Sequence, residues 1–248
     1  MSSSTTSSIG SKRKIYDTFV EPSTTSTEWL IEGIDATNYI KELLMLSHVN
    51  KDSLVLIPGC GISLVPKLLY DEGYTNLYII DIEDRSIDFQ KNAFSNVKNI
   101  VIKKHDILSD VFSNNIIFDV IIDKSFMDVF LRQAHATLAW NSTIKMLKPN
   151  GLYIALSMFH KKWKRYANSK TFSEVKYGSV LVKKYSRTRP TISTFSHPTC
   201  ILACILKDDN KNKKKSLVYE KSFTISTTSF SDLHSIPTHS FPNDSSMF

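Results

Sequence analysis

Four short clusters of residues in this 248-residue chain have types and spacing suited to ligand chemistry. The first is Gly59-Cys60-Gly61 with Ser63, directly after the apolar run Leu54-Val55-Leu56-Ile57. Glycines at the end of a buried strand let the backbone turn sharply and approach a ligand closely. The second is Asp81-Ile82, closing a further apolar run, where a carboxylate can bind ribose hydroxyls. The third is Asp106-Ile107, placed to meet an adenine amino group and ring. The fourth is Asp123-Lys124, at the end of a third apolar run. Each acid alone has a plain reading as a helix cap or turn former. Together they fall at four consecutive strand ends, where open α/β sheets bind ligands. A G-x-G turn without a third glycine is weak by itself. The set of four implies a site for a nucleotide-bearing cofactor.

The elements that position these residues alternate. A helix is expected over Asp35–Ser47, with Asp35 as N-cap. Strand Ser53–Ile57 and helix Leu64–Tyr70 flank the glycine turn. Strand Leu77–Asp81, helix Asp84–Ala93, strand Ile100–Lys103 and strand Phe118–Asp123 follow. A long helix is expected over Asp128–Met146, stopped by Pro149-Asn150-Gly151 before strand Leu152–Ser157. Two more strand-like runs, Val180–Lys184 and Thr199–Leu206, have no clear helix between them. Strict alternation closed by an antiparallel pair predicts an α/β fold, a mostly parallel sheet wrapped by helices.

Composition bounds the rest. Residues 1–26 are rich in Ser and Thr and are expected to be flexible. Residues 27–225 form the folded domain. Residues 226–248, Ser-rich and without Lys or Arg, read as a disordered tail. No stretch approaches the ~20 apolar residues of a membrane-spanning helix. The N-terminus lacks the apolar centre of a signal peptide. Three cysteines suit a reducing compartment, and the expected location is cytoplasmic. A mitochondrial transit peptide and nuclear import are the alternatives.

The charge is uneven. Residues 1–150 carry 15 Lys+Arg against 18 Asp+Glu, net −3, and residues 151–248 carry 16 against 6, net +10. The run Lys161-Lys162-Trp163-Lys164-Arg165 reads as a solvated helix face, with an RNA-binding patch as the alternative. Cys200 and Cys204 share a strand face and read as core, because a metal would need more ligands nearby. No metal is expected.

The pattern resembles class I, seven-stranded methyltransferases that use S-adenosyl-L-methionine. More narrowly it is similar to the family of methyltransferase-like protein 13, which methylates elongation factor one alpha at lysine and at its N-terminus. The matching residues are Glu28-Trp29, Gly59-Cys60-Gly61-Ile62-Ser63, Leu69 to Tyr74, Ile80-Asp81-Ile82, Asp123-Lys124-Ser125-Phe126-Met127-Asp128 and Leu152 to Ser157. They span residues 27 to 207. The segment beginning at Asp123 is the specific one. Ile62 and Ser125 depart from the Asn and Gly usual there, and Ile57 stands where many methyltransferases carry an acid.

The resemblance implies a Rossmann-like seven-stranded sheet and a protein substrate presenting a lysine or an N-terminal amine. Trp29, Gly59, Cys60, Gly61, Ser63, Asp81, Ile82, Asp106, Ile107, Asp123 and Lys124 are the expected cofactor contacts. Asp123 would orient the acceptor amine, and Phe126 with Trp29 would wall it. The amine must be neutral to accept a methyl group, whereas a free lysine near pKa ~10.4 is mostly charged. Small-molecule or RNA methylation on the same fold is the alternative, although no N-P-P-[YF] signature follows the fourth strand. A catalytically silent scaffold is a further alternative that Ile62 and Ser125 would fit.

Overall fold

A computed structural model describes residues 28–109, 116–131, 134–163, 165–168, 170–185 and 194–206. The expected flexible N-terminus and C-terminal tail lie outside these residues. In chain order the elements are α1 (Gly33–Leu46), β1 (Val55–Pro58), α2 (Val65–Asp71), β2 (Leu77–Asp81), α3 (Asp84–Ala93), β3 (Val101–Lys104) and β4 (Phe118–Lys124). Then come α4 (Phe126–Phe130), α5 (Ala136–Ile144), β5 (Leu147–Ser157), α6 (His160–Trp163), β6 (Phe172–Tyr185) and β7 (Thr194–Leu206).

The strands form one seven-stranded sheet in the order β3-β2-β1-β4-β5-β7-β6. Strands β1 to β5 are mutually parallel, with Ile57 opposite Ile79 and Leu56 opposite Ile121. Strand β7 runs antiparallel to both β5 and β6. The α/β fold with its antiparallel last strand is as expected. The order of strand addition switches between β1 and β4, and in open α/β sheets such a switch point at the carboxyl ends is where ligands bind.

Both faces of the sheet are covered at β1 and β2, which are accordingly almost wholly apolar, whereas the edge strand β3 is largely exposed and carries Lys103 and Lys104. Period-two alternation divides β1: Val55 and Ile57 join a cluster with Ile40, Leu44 and Leu69. Leu56 joins the opposite cluster with Phe118, Trp140 and Tyr153.

Local differences from the expected boundaries have physical causes. Helix α1 starts at Gly33 with Glu32 at its N-cap, so Asp35 lies inside the first turn. Its carboxylate favours the helix dipole instead of capping. The long helix expected over 128–146 is two short ones, each burying its own face. Those faces are Met127, Asp128 and Phe130 in α4, and Ala136, Ala139, Trp140 and Thr143 in α5. Packing against the sheet overrides a locally unbroken helical pattern. Pro149-Asn150-Gly151 does not stop a helix before β5 but sits inside that strand. The β4–β5 register shifts there and Asn150 takes φ 61°, and proline is tolerated in a strand at such an irregularity.

Candidate active site

The site is built at the carboxyl ends of β1, β2 and β4. β1 ends at Pro58, and the chain turns through Gly59 (φ 57°) and Gly61 (φ 54°), a conformation that L side chains avoid. Gly59 is constrained twice, because a Cβ there would lie 2.7 Å from Cδ2 of Phe126. Phe126 therefore packs directly on the turn, and its ring meets Phe130 edge-on.

Asp81, 4% exposed at the end of β2, organises the turn. Its Oδ2 accepts the Gly61 N–H at 2.8 Å and faces the Cys60 thiol at 3.9 Å. Its Oδ1 accepts the Glu83 N–H at 2.9 Å. Burial raises the Asp81 pKa, against the lowering effect of these backbone donors. The Cys60 thiol is pushed well above its ordinary value by the same burial and by Asp81, which keeps it a neutral packing group. Ile82 is half-buried beside Asp81. At the end of β3, Asp106 accepts the Leu108 N–H on Oδ1 at 3.0 Å, and Ile107 is buried in the second core cluster.

Residues 28 and 29 are tied to the turn by a buried ion pair. The Lys124 Nζ donates to Glu28 Oε2 at 2.7 Å and to the Trp29 carbonyl at 2.7 Å. The two side chains of this pair are only 8% and 3% exposed. Glu28 also accepts the Ser63 hydroxyl at 2.8 Å and the Leu64 N–H at 2.6 Å. Lys124 and Ser63 thus spend these bonds on Glu28, and Trp29 is held at the surface, 38% exposed. Sequence reasoning paired Glu28 with Trp29 as an arm but missed its link to Lys124. An acid 96 residues away in sequence carries no local signal.

Asp123 is turned into the protein. It is 1% exposed. Its carboxylate accepts the Phe126 N–H at 2.6 Å, the Met127 N–H at 3.2 Å and the Tyr153 hydroxyl at 2.7 Å. Burial raises its pKa from 3.8 to about 7, helped by the charge of Asp128 and opposed by the Tyr153 hydrogen bond. In this geometry its carboxylate caps the start of α4. Two partners were not anticipated. Tyr153, on β5, is fully buried. Asp128 accepts the Ser157 hydroxyl and, at 3.0 Å, the Met158 N–H.

Elsewhere, Trp163 is fully buried with ring centroids 5.7 Å from Trp140 and 5.9 Å from Tyr153. That removes the stacking aromatic an RNA-binding patch at 161–165 would use. Cys204 is buried in the core as expected, and the side chain of Cys200 lies outside the described residues. No group of three metal-ligating side chains occurs among the described residues. No helix among them is long and apolar enough to cross a membrane. A surface cleft of ≈550 Å³ lies on α3, lined by Ile62, Arg85, Asp88, Phe89 and Asn92. It borders the glycine turn only through Ile62 and includes none of the strand-end acids.

The strand order and the antiparallel β7 define the Rossmann-like fold of class I methyltransferases. Solved structures share it. YcgJ of Bacillus subtilis superimposes with a TM-score of 0.54 at 9% identity, covering 70% of this chain and 99% of that one. The precorrin 8w decarboxylase of Methanobacterium thermoautotrophicum gives 0.51 at 13% identity, covering 76% and 94%. The precorrin-6y C5,15-methyltransferase of Geobacter metallireducens gives 0.50 at 12%, covering 76% and 95%. At these identities the likeness establishes the fold alone. The sequence matches no known family profile, and no curated protein is significantly similar to it.

Proposed function

We propose that this chain is an S-adenosyl-L-methionine-dependent methyltransferase whose acceptor is a protein amine, foremost a lysine side chain. One observation carries the reading. A buried carboxylate at the end of β2, Asp81, is bonded to the N–H of Gly61 in a positive-φ glycine turn at the end of β1. That joins an acid that would bind ribose to a glycine turn whose backbone other groups can approach closely. The fold alone does not settle chemistry, since one of its structural relatives is named a decarboxylase.

The residues fit the cofactor. The Gly59–Gly61 turn, where a Cβ has no room at Gly59, would pass under the methionine and ribose portion. Asp81 would hold the ribose hydroxyls, with Ile82 beside it. Asp106 and Ile107 would serve the adenine. Cys60 packs behind the turn. Lys124 and Ser63 act through Glu28, fastening Trp29 at the rim. When bound, the sulfonium supplies an activated methyl group, so no covalent enzyme intermediate is needed. The protein's work is to align the acceptor and keep it neutral. Asp123 contributes by capping α4, which holds Phe126 against the turn. Phe126 and Trp29 would form an apolar wall that desolvates the amine and lowers its pKa.

The lysine acceptor, and elongation factor one alpha in particular, are supported by the residues from Asp123 to Asp128 that resemble the methyltransferase-like protein 13 family. Transfer of a radiolabelled methyl group into a cell lysate, compared with an Asp81→Ala control, tests the acceptor. Label in a protein band that appears only with the wild type is expected. Label confined to RNA or to small molecules overturns the protein acceptor.

A further inference from the structure

Gln90 occupies a core position on the inner face of α3, where the helical stripe of Ile87 and Phe94 calls for an apolar side chain. It is fully buried. Its Nε2 donates to the Gly61 carbonyl at 3.1 Å and to the Ser63 carbonyl at 2.8 Å. Its Oε1 is buried and accepts no hydrogen bond among the described residues. A buried unsatisfied carbonyl costs stability, and an apolar residue of the same shape would avoid that cost. An amide kept at such a position is explained by what its donor end holds.

It holds the loop that turns past the cofactor site. In a planar trans peptide the carbonyl and the following N–H point in opposite directions. The Ser63 carbonyl faces Gln90, and the Leu64 N–H accordingly faces away, toward Glu28 Oε1 at 2.6 Å. The same geometry at Gly61 sends its carbonyl to Gln90 and the Ile62 N–H away from α3. Gly61 is then fixed at both ends, its own N–H on Asp81 at 2.8 Å and its carbonyl on Gln90. We propose that Gln90 is a positioning residue for the cofactor: one amide clamps the Gly61 and Ser63 carbonyls, so that the loop backbone is held in place and the Ile62 N–H is turned toward the ligand instead of toward α3. The assignment rests on the cofactor reading above.

The test compares apo stability and S-adenosylhomocysteine affinity, by calorimetry, in the wild type and in Gln90→Met. The Met side chain fills the same space and removes the clamp and the orphaned Gln90 carbonyl, leaving the Gly61 and Ser63 carbonyls without that donor. The apo melting temperature is expected to fall, because the Gly61 and Ser63 carbonyls lose their donor, and the affinity of the folded variant is expected to fall about tenfold or more, the scale of one to two lost hydrogen bonds. A melting temperature that drops while affinity stays within about twofold would show a purely structural residue. If Gln90→Met does not fold, Gln90→Glu serves. It keeps the shape but can offer at most one proton to the two carbonyls, and weaker binding by the folded variant is expected. Equal affinity contradicts the clamp. A wild type that binds no S-adenosylhomocysteine overturns the clamp together with the cofactor reading, whereas a binding wild type matched by both variants overturns the clamp alone.

Discussion

The Asp123 carboxylate and the Tyr153 hydroxyl lie 2.7 Å apart in the core, each at most 1% exposed. Their bond ties the end of β4 to the neighbouring strand β5, and the same carboxylate caps α4. Because burial lifts the Asp123 pKa to about 7, this junction is sensitive to pH. Between the unfolded value, near 3.8, and about 7 the native state binds more protons than the unfolded chain. Asp123 therefore contributes most stability below that window, and its contribution is lost as pH rises through it. The raised pKa of Asp81 acts in the same direction. Asp123→Asn should flatten the decline in urea midpoint between about pH 5 and about pH 8, relative to the wild type. An unchanged slope would mean that Asp123 is not the group responsible.

Ser125 precedes α4 at φ 64°, where a side chain is strained. Its hydroxyl offers only a 3.4 Å bond to the Leu156 carbonyl in return. Ser125→Gly should stabilise the chain by about 1 kcal/mol. That would raise the melting temperature by roughly 2–4 °C, and a lowered one would show that the hydroxyl contributes more than the strain costs.

Breaking one side of the buried Glu28–Lys124 pair should be costly, because the remaining charge is left in a dry site. Lys124→Met should lose about 3 kcal/mol in equilibrium unfolding. The double variant with Glu28→Gln should recover part of that loss. Strictly additive losses would show that the two charges do not depend on each other.

Gly59→Ala combines an unfavourable φ with a Cβ 2.7 Å from Phe126. It should cost about 2 kcal/mol or more in urea unfolding. A variant as stable as the wild type would mean that the turn and Phe126 move apart freely.

The strand ends were legible from sequence because apolar runs punctuated by Gly or Asp mark buried parallel strands wherever they occur. The glycine turn, Asp81 and the order of elements through β4 follow from such local patterns. What was not legible depends on contacts distant in sequence. Lys124 looks like a ligand-facing cation until Glu28 is placed beside it, and Asp123 looks like an accessible acid until Tyr153 is brought in from β5. Gln90 did carry a signal, a polar residue at an apolar helical position, but the carbonyls it serves lie 27 and 29 residues earlier. The division of the 128–146 helix left no trace, since no Gly or Pro interrupts that segment and tertiary packing decides it.

The central claim is that Asp81 and the glycine turn form an S-adenosylmethionine site. Binding of S-adenosylhomocysteine to the wild type and to Asp81→Ala, followed by calorimetry and thermal shift, tests it most directly. The wild type should bind, gaining about 2.7 kcal/mol of stability at 100 times the Kd, and a folded Asp81→Ala chain should show no detectable binding. A wild type with no heat and no shift at saturating ligand, or an Asp81→Ala chain of unchanged affinity, contradicts the account.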